Sequence, residues 1–387
     1  MSTPAPGKPV YNVKNPCIAR VTTAFDLSGP GAPKNTRHYE IDLTGSGLEY
    51  TPGDSLAVQP TNDPKLVDEM LQVLGFTGEE IVAHPKRPTE QVPVRQALLE
   101  GSLITEVDNK LIKAILEKTG GNSPLNGLLE PERKDDLKNY LWGRFVIDLL
   151  LENPTAKFEP AEFIGLLKKL NIRLYSISSS QRAHPNSVHL TVATVRYTSH
   201  GRERGGVAST FLAERITTGT PIPVFVNHGK GFRLPEAHED VPVIFIGPGT
   251  GIAPFRAFLQ ERKATAAKGK AWLFFGEVSE KSCFFYKDEF EGYLADGTLD
   301  RLTTAWSRDQ AEKIYVQHKM LEHASDLFAW LEQGAIVYVC GDASRMAVDV
   351  DKALHTILEQ QGGKTAEEAA AYMAALKEAK RYRRDVY

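Results

Sequence analysis

Apolar residues along this chain follow two rhythms, and the places where one gives way to the other mark its parts. Residues 18–24 and 38–43 alternate apolar with polar side chains, the period of a half-buried strand, and the turn-rich segment 28–35 separates them. Pro52-Gly53-Asp54 turns the chain into a further strand at 55–59. Helical spacing then takes over. Asp63 and Pro64 cap and open a helix carrying Val67, Met70, Leu71 and Leu74, and Gly75 closes it. Amphipathic segments at 111–116, 137–141, 145–151 and 161–170 continue the pattern, so a mostly helical stretch interrupts a β region. Strands resume at 174–178, 188–196 and 222–226, with a short helix from about 209 to 216. Beyond Asp240, strand and helix alternate, with strands at Ile244, 272–275, 302–306 and 337–340. Such alternation gives a doubly wound parallel sheet with its ligand at the C-terminal ends of the strands. The pattern therefore predicts an α/β multidomain chain. Residues 1–60 and 171–237 form an antiparallel β-barrel, 61–170 a helical insertion, and 238–387 the doubly wound domain.

The segment 241–262, VPVIFIGPGTGIAPFRAFLQER, reads as strand, glycine turn and helix. Gly247, Gly249 and Gly251 permit positive φ and a close approach of backbone to a ligand. A glycine turn feeding a helix start leaves free N–H groups aimed at one spot, which suits a phosphate. Ile252 stands where G-x-G-x-x-G needs its third glycine, and no P-loop Lys-Ser/Thr follows. A tight βα turn and a nucleotide site both fit this stretch.

Charge and composition narrow the chemistry. Lys and Arg number 46 against 49 Asp and Glu, so the net charge of −3 gives no general reason to expect nucleic acid or an anionic membrane. The N-terminus lacks a signal-peptide core, and no apolar run reaches the ~18 residues of a membrane span, so a soluble, cytoplasmic protein is expected. Cys17, Cys283 and Cys340 are far apart with no C-x-x-C, which encodes neither an iron–sulfur cluster nor a cysteine metal site; no metal is expected. Redox chemistry here would use a bound organic cofactor.

Four further stretches carry candidate chemistry. Arg173, Tyr175 and Ser176, with Ser178 beyond, place a cation, a flat ring and hydroxyls on one strand, Arg173 and Tyr175 on one face and Ser176 on the other. A flavin uses all three, and a half-exposed strand ending in a serine turn is the plain alternative. Gly205-Gly206-Val207-Ala208-Ser209-Thr210 sets glycine and hydroxyl at a helix start, either a pyrophosphate cradle or a capped loop helix. Ser307 and Arg308 follow a strand end, with Lys313, Tyr315 and Gln317 soon after; with no carboxylate seen at that end, basic residues favour a 2′-phosphate, unless the loop is simply solvated. Cys340 closes an apolar strand before Gly341-Asp342, where packing and chemistry are both open. The last residues, KRYRRDVY, would by default fray.

Taken in order, the motifs R-x-Y-S-x-x-S, G-V-A-S, G-P-G-T-G-I-A-P-F-R, S-R-D with K-x-Y-x-Q, and Y-V-C-G-D resemble the FAD- and NADPH-binding module of the diflavin reductases, a branch of the ferredoxin–NADP reductase-like superfamily. The likeness runs from about residue 13 to Tyr387. Its terminal RRDVY is similar to the sulfite reductase flavoproteins, where microsomal cytochrome reductases have tryptophan. The resemblance implies an NADPH-dependent FAD oxidoreductase of electron transport, with the helical insertion as its connecting domain. It assigns Arg173 to FAD phosphate, Tyr175 to stacking, Ser176 and Ser178 to the flavin strand, and Gly206, Val207, Ala208 and Ser209 to the pyrophosphate. It assigns Gly249, Thr250, Gly251 and Asp342 to NADPH, and Ser307, Arg308, Lys313, Tyr315 and Gln317 to its 2′-phosphate end. Ser176, Cys340 and Asp385 would form the hydride-transfer site, with Tyr387 covering the flavin. Family members carry a flavodoxin-like FMN domain upstream, whereas only about a dozen residues precede the match here. A separate acceptor is therefore expected: an FMN flavodoxin-like protein, a haemoprotein or an iron–sulfur protein, with Arg381, Arg383 and Arg384 either docking it or seating the tail. Ferredoxin–NADP reductase-type exchange and a non-catalytic NADP-binding sensor are the alternatives.

Overall fold

A computed structural model describes residues 10–387. The described residues form two compact units, one of residues 10–58, 174–194 and 217–387, the other of residues 59–173 and 195–216.

The first unit contains both sheets. Strands β1 (Cys17–Asp26), β2 (Thr36–Asp42), β3 (Ser55–Val58), β4 (Arg173–Ser176), β5 (Ser187–Ala193) and β6 (Pro221–Asn227) lie in the order β4–β3–β6–β1–β2–β5. An antiparallel bridge from Ile177 to Leu190 joins the outer members, so the sheet closes as a barrel. Alternation fills it: Val21, Tyr39, Ile41, Leu56, Val188, Leu190 and Val224 are buried. The other face of β2 and β5 is polar. There Glu40 pairs across with His189 and His38 with Thr191.

The second sheet comprises β7 (Val243–Ile246), β8 (Ala271–Glu277), β9 (Arg301–Trp306), β10 (Ile336–Gly341) and β11 (Tyr382–Val386), in the order β9–β8–β7–β10–β11. Every pairing is parallel. Its central strands are apolar because both faces are covered. Ile244, Trp272 and Val337 enter one core, while Phe245, Leu273 and Tyr338 enter the other. Each such side chain contributes roughly 1.5–3 kcal/mol on burial. Strand order reverses between β7 and β10, and a ligand crevice opens at such a switch point. The tail does not fray: Tyr382–Val386 is the edge strand β11. Arg381 donates to the carbonyls of Leu331 and Ala335 and Arg383 to those of Lys380 and Arg233, so both seat the tail.

Helix α1 (Ala253–Thr265) links the sheets. Arg256 is 5% exposed, and its Nη1 donates to the Ser178 carbonyl at 2.8 Å and faces His189 Nδ1 at 3.2 Å. Its Nε and Nη2 reach Glu289 at 2.8 Å, and the guanidinium lies 4.5 Å from the Tyr286 ring centroid. One turn on, Gln260 Oε1 accepts the Ser180 N–H at 2.9 Å, and Glu261 accepts from Arg182 Nε at 2.8 Å.

In the other unit, helices Pro64–Leu74, Asn109–Lys118, Lys134–Leu141, Val146–Glu152 and Pro160–Leu166 surround one apolar core. Two hairpins, Ile81–His84 with Arg87–Pro93 and Arg196–Ser199 with Arg202–Gly205, are additions to the predicted pattern. A buried pair, Arg204 with Asp148 at 2.7 Å, lies within it. Among the described residues no helix is long and apolar enough to cross a membrane.

The polar barrel face sets an acid limit on stability. Burial, then the Arg256 charge, then His184 lower the His38 pKa to about 3, and the same causes with His38 added lower His189 to about 2. Both folded values lie below the unfolded one, so the unfolded chain binds more protons as pH falls below about 6.5 and stability is lost in that direction, by up to about 1.4 kcal/mol per pH unit for each histidine. Urea unfolding at pH 7, 5.5 and 4.5 should show this fall, and His189→Gln should flatten it. An equal slope in the variant would remove His189 from the account.

Candidate functional site

The three glycines after β7 do different work. A Cβ on Gly247 would meet the Gly251 carbonyl oxygen and the Phe255 ring, each at 2.5 Å, and one on Gly251 would meet the Cys340 carbonyl oxygen at 2.1 Å. These two let backbone pack on backbone. Gly249 alone has positive φ, at 58°, and its nearest neighbour on the Cβ side is Glu277 Oε1 at 3.5 Å. Gly249–Ile252 forms a short 3-10 turn that runs into α1, with Pro254 in the first turn where no N–H is needed. Thr250 follows Gly249 and lies at 3.0 Å from the Tyr387 hydroxyl, oxygen to oxygen.

Beside this turn the ends of β4, β10 and β11 bring together residues far apart in sequence. Ser176 Oγ donates to Asp385 Oδ2 at 2.8 Å, and Cys340 Sγ is 4.0 Å from the same oxygen. Burial pushes the Cys340 thiol well above its usual pKa and Asp385 adds to the rise, so the thiol is neutral at physiological pH. Tyr387 is held at its backbone, its N–H donating to the Gly341 carbonyl and its carbonyl accepting the Ala343 N–H, both at 3.1 Å. The residue as a whole is 65% exposed. The arrangement is a neutral thiol and a hydroxyl around one carboxylate oxygen, under an anchored chain end with an accessible ring.

The loop after β9 is fixed by its backbone. Ser307 N–H donates to the Glu277 carbonyl and Arg308 N–H to that of Val278, each at 2.9 Å, while Asp309 Oδ2 accepts the Glu280 N–H at 2.8 Å. Arg308, Lys313 and Tyr315 are exposed. Gln317 is half-buried and approaches Asp349 at 3.5 Å. Asp342 Oδ1 accepts from the Ser344 and Arg345 N–H groups at 2.6 and 2.8 Å, which engages that oxygen in the turn before the following helix.

On β4, Arg173 is exposed and Tyr175 half-buried. Ser178 lies two residues past the end of that strand. Its side chain is fully buried, its N–H donates to the His189 carbonyl and its carbonyl accepts from Arg256. In the other unit Gly206, Val207, Ala208 and Ser209 open the turn Val207–Thr210. Ser209 Oγ accepts the Val195 N–H and donates to the Gly206 carbonyl, each at 3.1 Å, so it braces the loop. A Cβ on Gly206 would meet that oxygen at 2.8 Å. A cavity of about 320 Å³ adjoins the turn, with Lys65, Arg196, Arg204, Gly205 and Val207 among its walls.

Two residues that matter here escaped the reading of the sequence. Arg256 ends the motif G-P-G-T-G-I-A-P-F-R and was given no role there. Glu277 lay beyond the expected strand end at Phe275; carrying β8 through F-F-G-E would have placed a carboxyl group at the ligand edge.

Comparison with known proteins finds the FAD binding domain over residues 9–211 and the oxidoreductase NAD-binding domain over 245–352. The chain is 46% identical over 381 residues to the sulfite reductase [NADPH] flavoprotein alpha-component of Bacillus subtilis (strain 168), covering 98% of this chain and 62% of the relative. It is 45% identical to the protein of that name from Aliivibrio fischeri, covering 97% and 61%, and 43% identical to that from Vibrio parahaemolyticus, covering 97% and 59%. The chain thus spans about three-fifths of the length of the curated relatives it matches.

The glycine geometry predicts a graded response. Gly251→Ala, which drives a Cβ into the Cys340 carbonyl, should lower the melting temperature and abolish nicotinamide nucleotide binding. Gly249→Ala has room and meets only the left-handed backbone penalty of roughly 1 kcal/mol. Thermal melts with binding titrations check this, and equal effects of the two changes would refute the division of roles.

Proposed function

The chain belongs to the FAD binding domain family and carries an oxidoreductase NAD-binding domain behind it, and from that premise we propose that it takes hydride from NADPH onto FAD and passes electrons to a separate protein. One observation carries the reading: Ser176, Cys340 and Asp385 converge at the switch point of the parallel sheet, beside the Gly249-Thr250 turn. The residues fit both cofactors. Gly249 has the left-handed φ that a close approach of backbone to a nucleotide calls for, and β4 offers an exposed cation at Arg173, a ring at Tyr175 and a hydroxyl at Ser176. In the proposed division of labour, residues 1–60 and 171–237 serve FAD, 61–170 connect, and 238–387 hold the nucleotide.

FAD, when bound, accepts two electrons together and releases them singly. The protein's own groups hold protons and geometry. Asp385 Oδ2 fixes the Ser176 hydroxyl proton on a known line, and the neutral Cys340 thiol adds no second negative charge beside that carboxylate. The Gly249-Thr250 turn would bound the space in which nicotinamide lies, and Tyr387, anchored at its backbone, would cover the flavin beside it. Ser307 and Arg308, on a loop pinned by backbone bonds, take the 2′-phosphate, with Lys313 and Tyr315 beyond. The acceptor in this proposal is a haemoprotein of sulfite reduction, as the relatives' name suggests, or a flavodoxin-like FMN protein. A cytoplasmic setting belongs to the same proposal, supported by three free buried cysteines.

Cofactor preference tests the nucleotide end. A charged hydrogen bond to phosphate is worth ~1.5–3 kcal/mol, so Arg308→Ala should weaken NADPH roughly ten- to a hundredfold while NADH scarcely changes. Equal losses for the two nucleotides would remove the 2′-phosphate assignment.

Stopped-flow spectroscopy tests the whole reading. The purified yellow protein should bleach with NADPH and reoxidise on mixing with the acceptor, faster at low salt if charge steers the encounter. No bleaching would refute the enzyme. Bleaching with rapid reduction of dyes but slow, salt-insensitive transfer to every protein offered would leave a stand-alone diaphorase and refute the relay.

A further inference from the structure

The strand-end crevice holds a carboxyl group that the proposed chemistry leaves without a task. Glu277 ends β8 and is half-buried, on a strand whose other residues are all buried. Its Oε2 accepts the Val278 N–H at 2.7 Å, which fixes the carboxyl plane. Its Oε1 stands 3.5 Å from the point a Cβ on Gly249 would occupy, so it faces the glycine at van der Waals distance. Its carbonyl accepts the Ser307 N–H at 2.9 Å. Glu277 therefore lies between the Gly249-Thr250 turn, which touches Tyr387, and the loop of Ser307 and Arg308.

A carboxylate facing that turn repels a diphosphate and accepts hydrogen bonds from hydroxyl groups. In NADPH the adenosine ribose has its 2′ position phosphorylated, whereas the ribose of the nicotinamide half presents two free hydroxyls. Proximity to Gly249, the residue before Thr250, puts Glu277 on the nicotinamide side of the crevice. The geometry points to Glu277 as the acceptor for the nicotinamide-ribose hydroxyls, steering the diphosphate away from itself and toward the N–H groups at the start of α1. The inference rests on the reading of this crevice as the NADPH site. Burial raises the pKa of Glu277, opposed by the Val278 N–H and the charge of Lys34, and a donor from the ligand would stabilise the ionised form. Unlike Arg308, Glu277 would serve NADPH and NADH alike, because both carry that ribose.

Calorimetric titration of the FAD-loaded protein with NADP⁺, NAD⁺ and adenosine 2′,5′-bisphosphate tests this. Glu277→Ala should weaken NADP⁺ and NAD⁺ by the same factor of about ten and leave the bisphosphate unchanged, since that fragment lacks the nicotinamide ribose. A second measurement needs no variant: an NADP⁺ analogue without the nicotinamide-ribose hydroxyls should lose the same factor against the wild-type protein. Tighter NADP⁺ binding by Glu277→Ala would show a carboxylate that only repels. Tighter NADP⁺ with weaker NAD⁺ would move the carboxyl to the adenosine ribose, and a parallel loss for the bisphosphate would mean that the Ser307 loop had shifted; each outcome overturns the assignment. Wild-type protein that binds no NADP⁺ refutes the reading of the crevice itself, whereas binding indifferent to Glu277 and to the ribose hydroxyls refutes only the inference.

Discussion

The placement of the candidate site depends on a buried cation. Arg256 sits just past the glycine turn, on the helix that the turn feeds, and its guanidinium bonds the carbonyl of Ser178, two residues beyond Ser176. The turn that would hold nicotinamide and the strand that would face the flavin are thereby tied to one side chain. Leaving a guanidinium unpaired in such a place would cost several kcal/mol. It is met by the Glu289 carboxylate, a carbonyl, an imidazole nitrogen and the Tyr286 ring. Gln260 and Glu261 extend the grip to Ser180 and Arg182, so one helix face follows the chain from the flavin strand into its loop.

That cation also decides what the histidines of the barrel face can do. His38, Glu40 and His189 offer nitrogen and oxygen atoms within 4.8 Å of one another, the makings of a metal site. Arg256 can only donate, so His189 Nδ1 must accept, and the ring proton resides on Nε2, 3.1 Å from Ser187 Oγ. Both nitrogens are engaged, and a positive charge stands beside them. The same reasoning runs through Tyr286, whose hydroxyl lies 2.9 Å from His38 Nδ1 and 2.6 Å from Thr191 Oγ1. The two imidazoles are neutral members of a hydrogen-bonded joint, and their lowered pKa values follow from burial and from the arginine.

Much of this was legible in the sequence where packing leaves a period, and little where it does not. The central parallel strands announced themselves because burial on both faces demands unbroken apolar runs such as Val243–Ile246. The hairpin Ile81–His84 with Arg87–Pro93 left no such mark: its second strand is exposed at its first five positions, and proline interrupts the pattern. The short helix expected from about 209 starts at Val207 and widens into a π turn at Phe211–Arg215, a change of hydrogen-bond register that side-chain spacing does not encode. For the site, Ser176 and Cys340 stood out separately from their strands, whereas their grouping with Asp385 came from resemblance, since nothing in their spacing brings the three together. The burial of Ser178 was not legible from that motif, because a motif fixes residue identity without saying what covers each position.

Register explains why the last residues of the chain belong to the site. β11 pairs with β10 so that Tyr382 lies opposite Val337 and Asp385 opposite Cys340. Side chains alternate along a strand, and a slip of one residue would carry Asp385 to the other face of the sheet, away from Ser176 and Cys340. An edge strand of five residues is weakly specified by its own ladder, so other contacts must hold the register. Tyr382 enters the core beneath one face, while Arg383 crosses the other, 5.4 Å from the Tyr338 ring. Arg381 ties the strand's entry to the carbonyls of Leu331 and Ala335. The basic run that could have been a docking patch thus acts inward at two of its three arginines. By holding register, those two put a carboxylate beside a buried thiol and leave Tyr387 one residue past the end of β11.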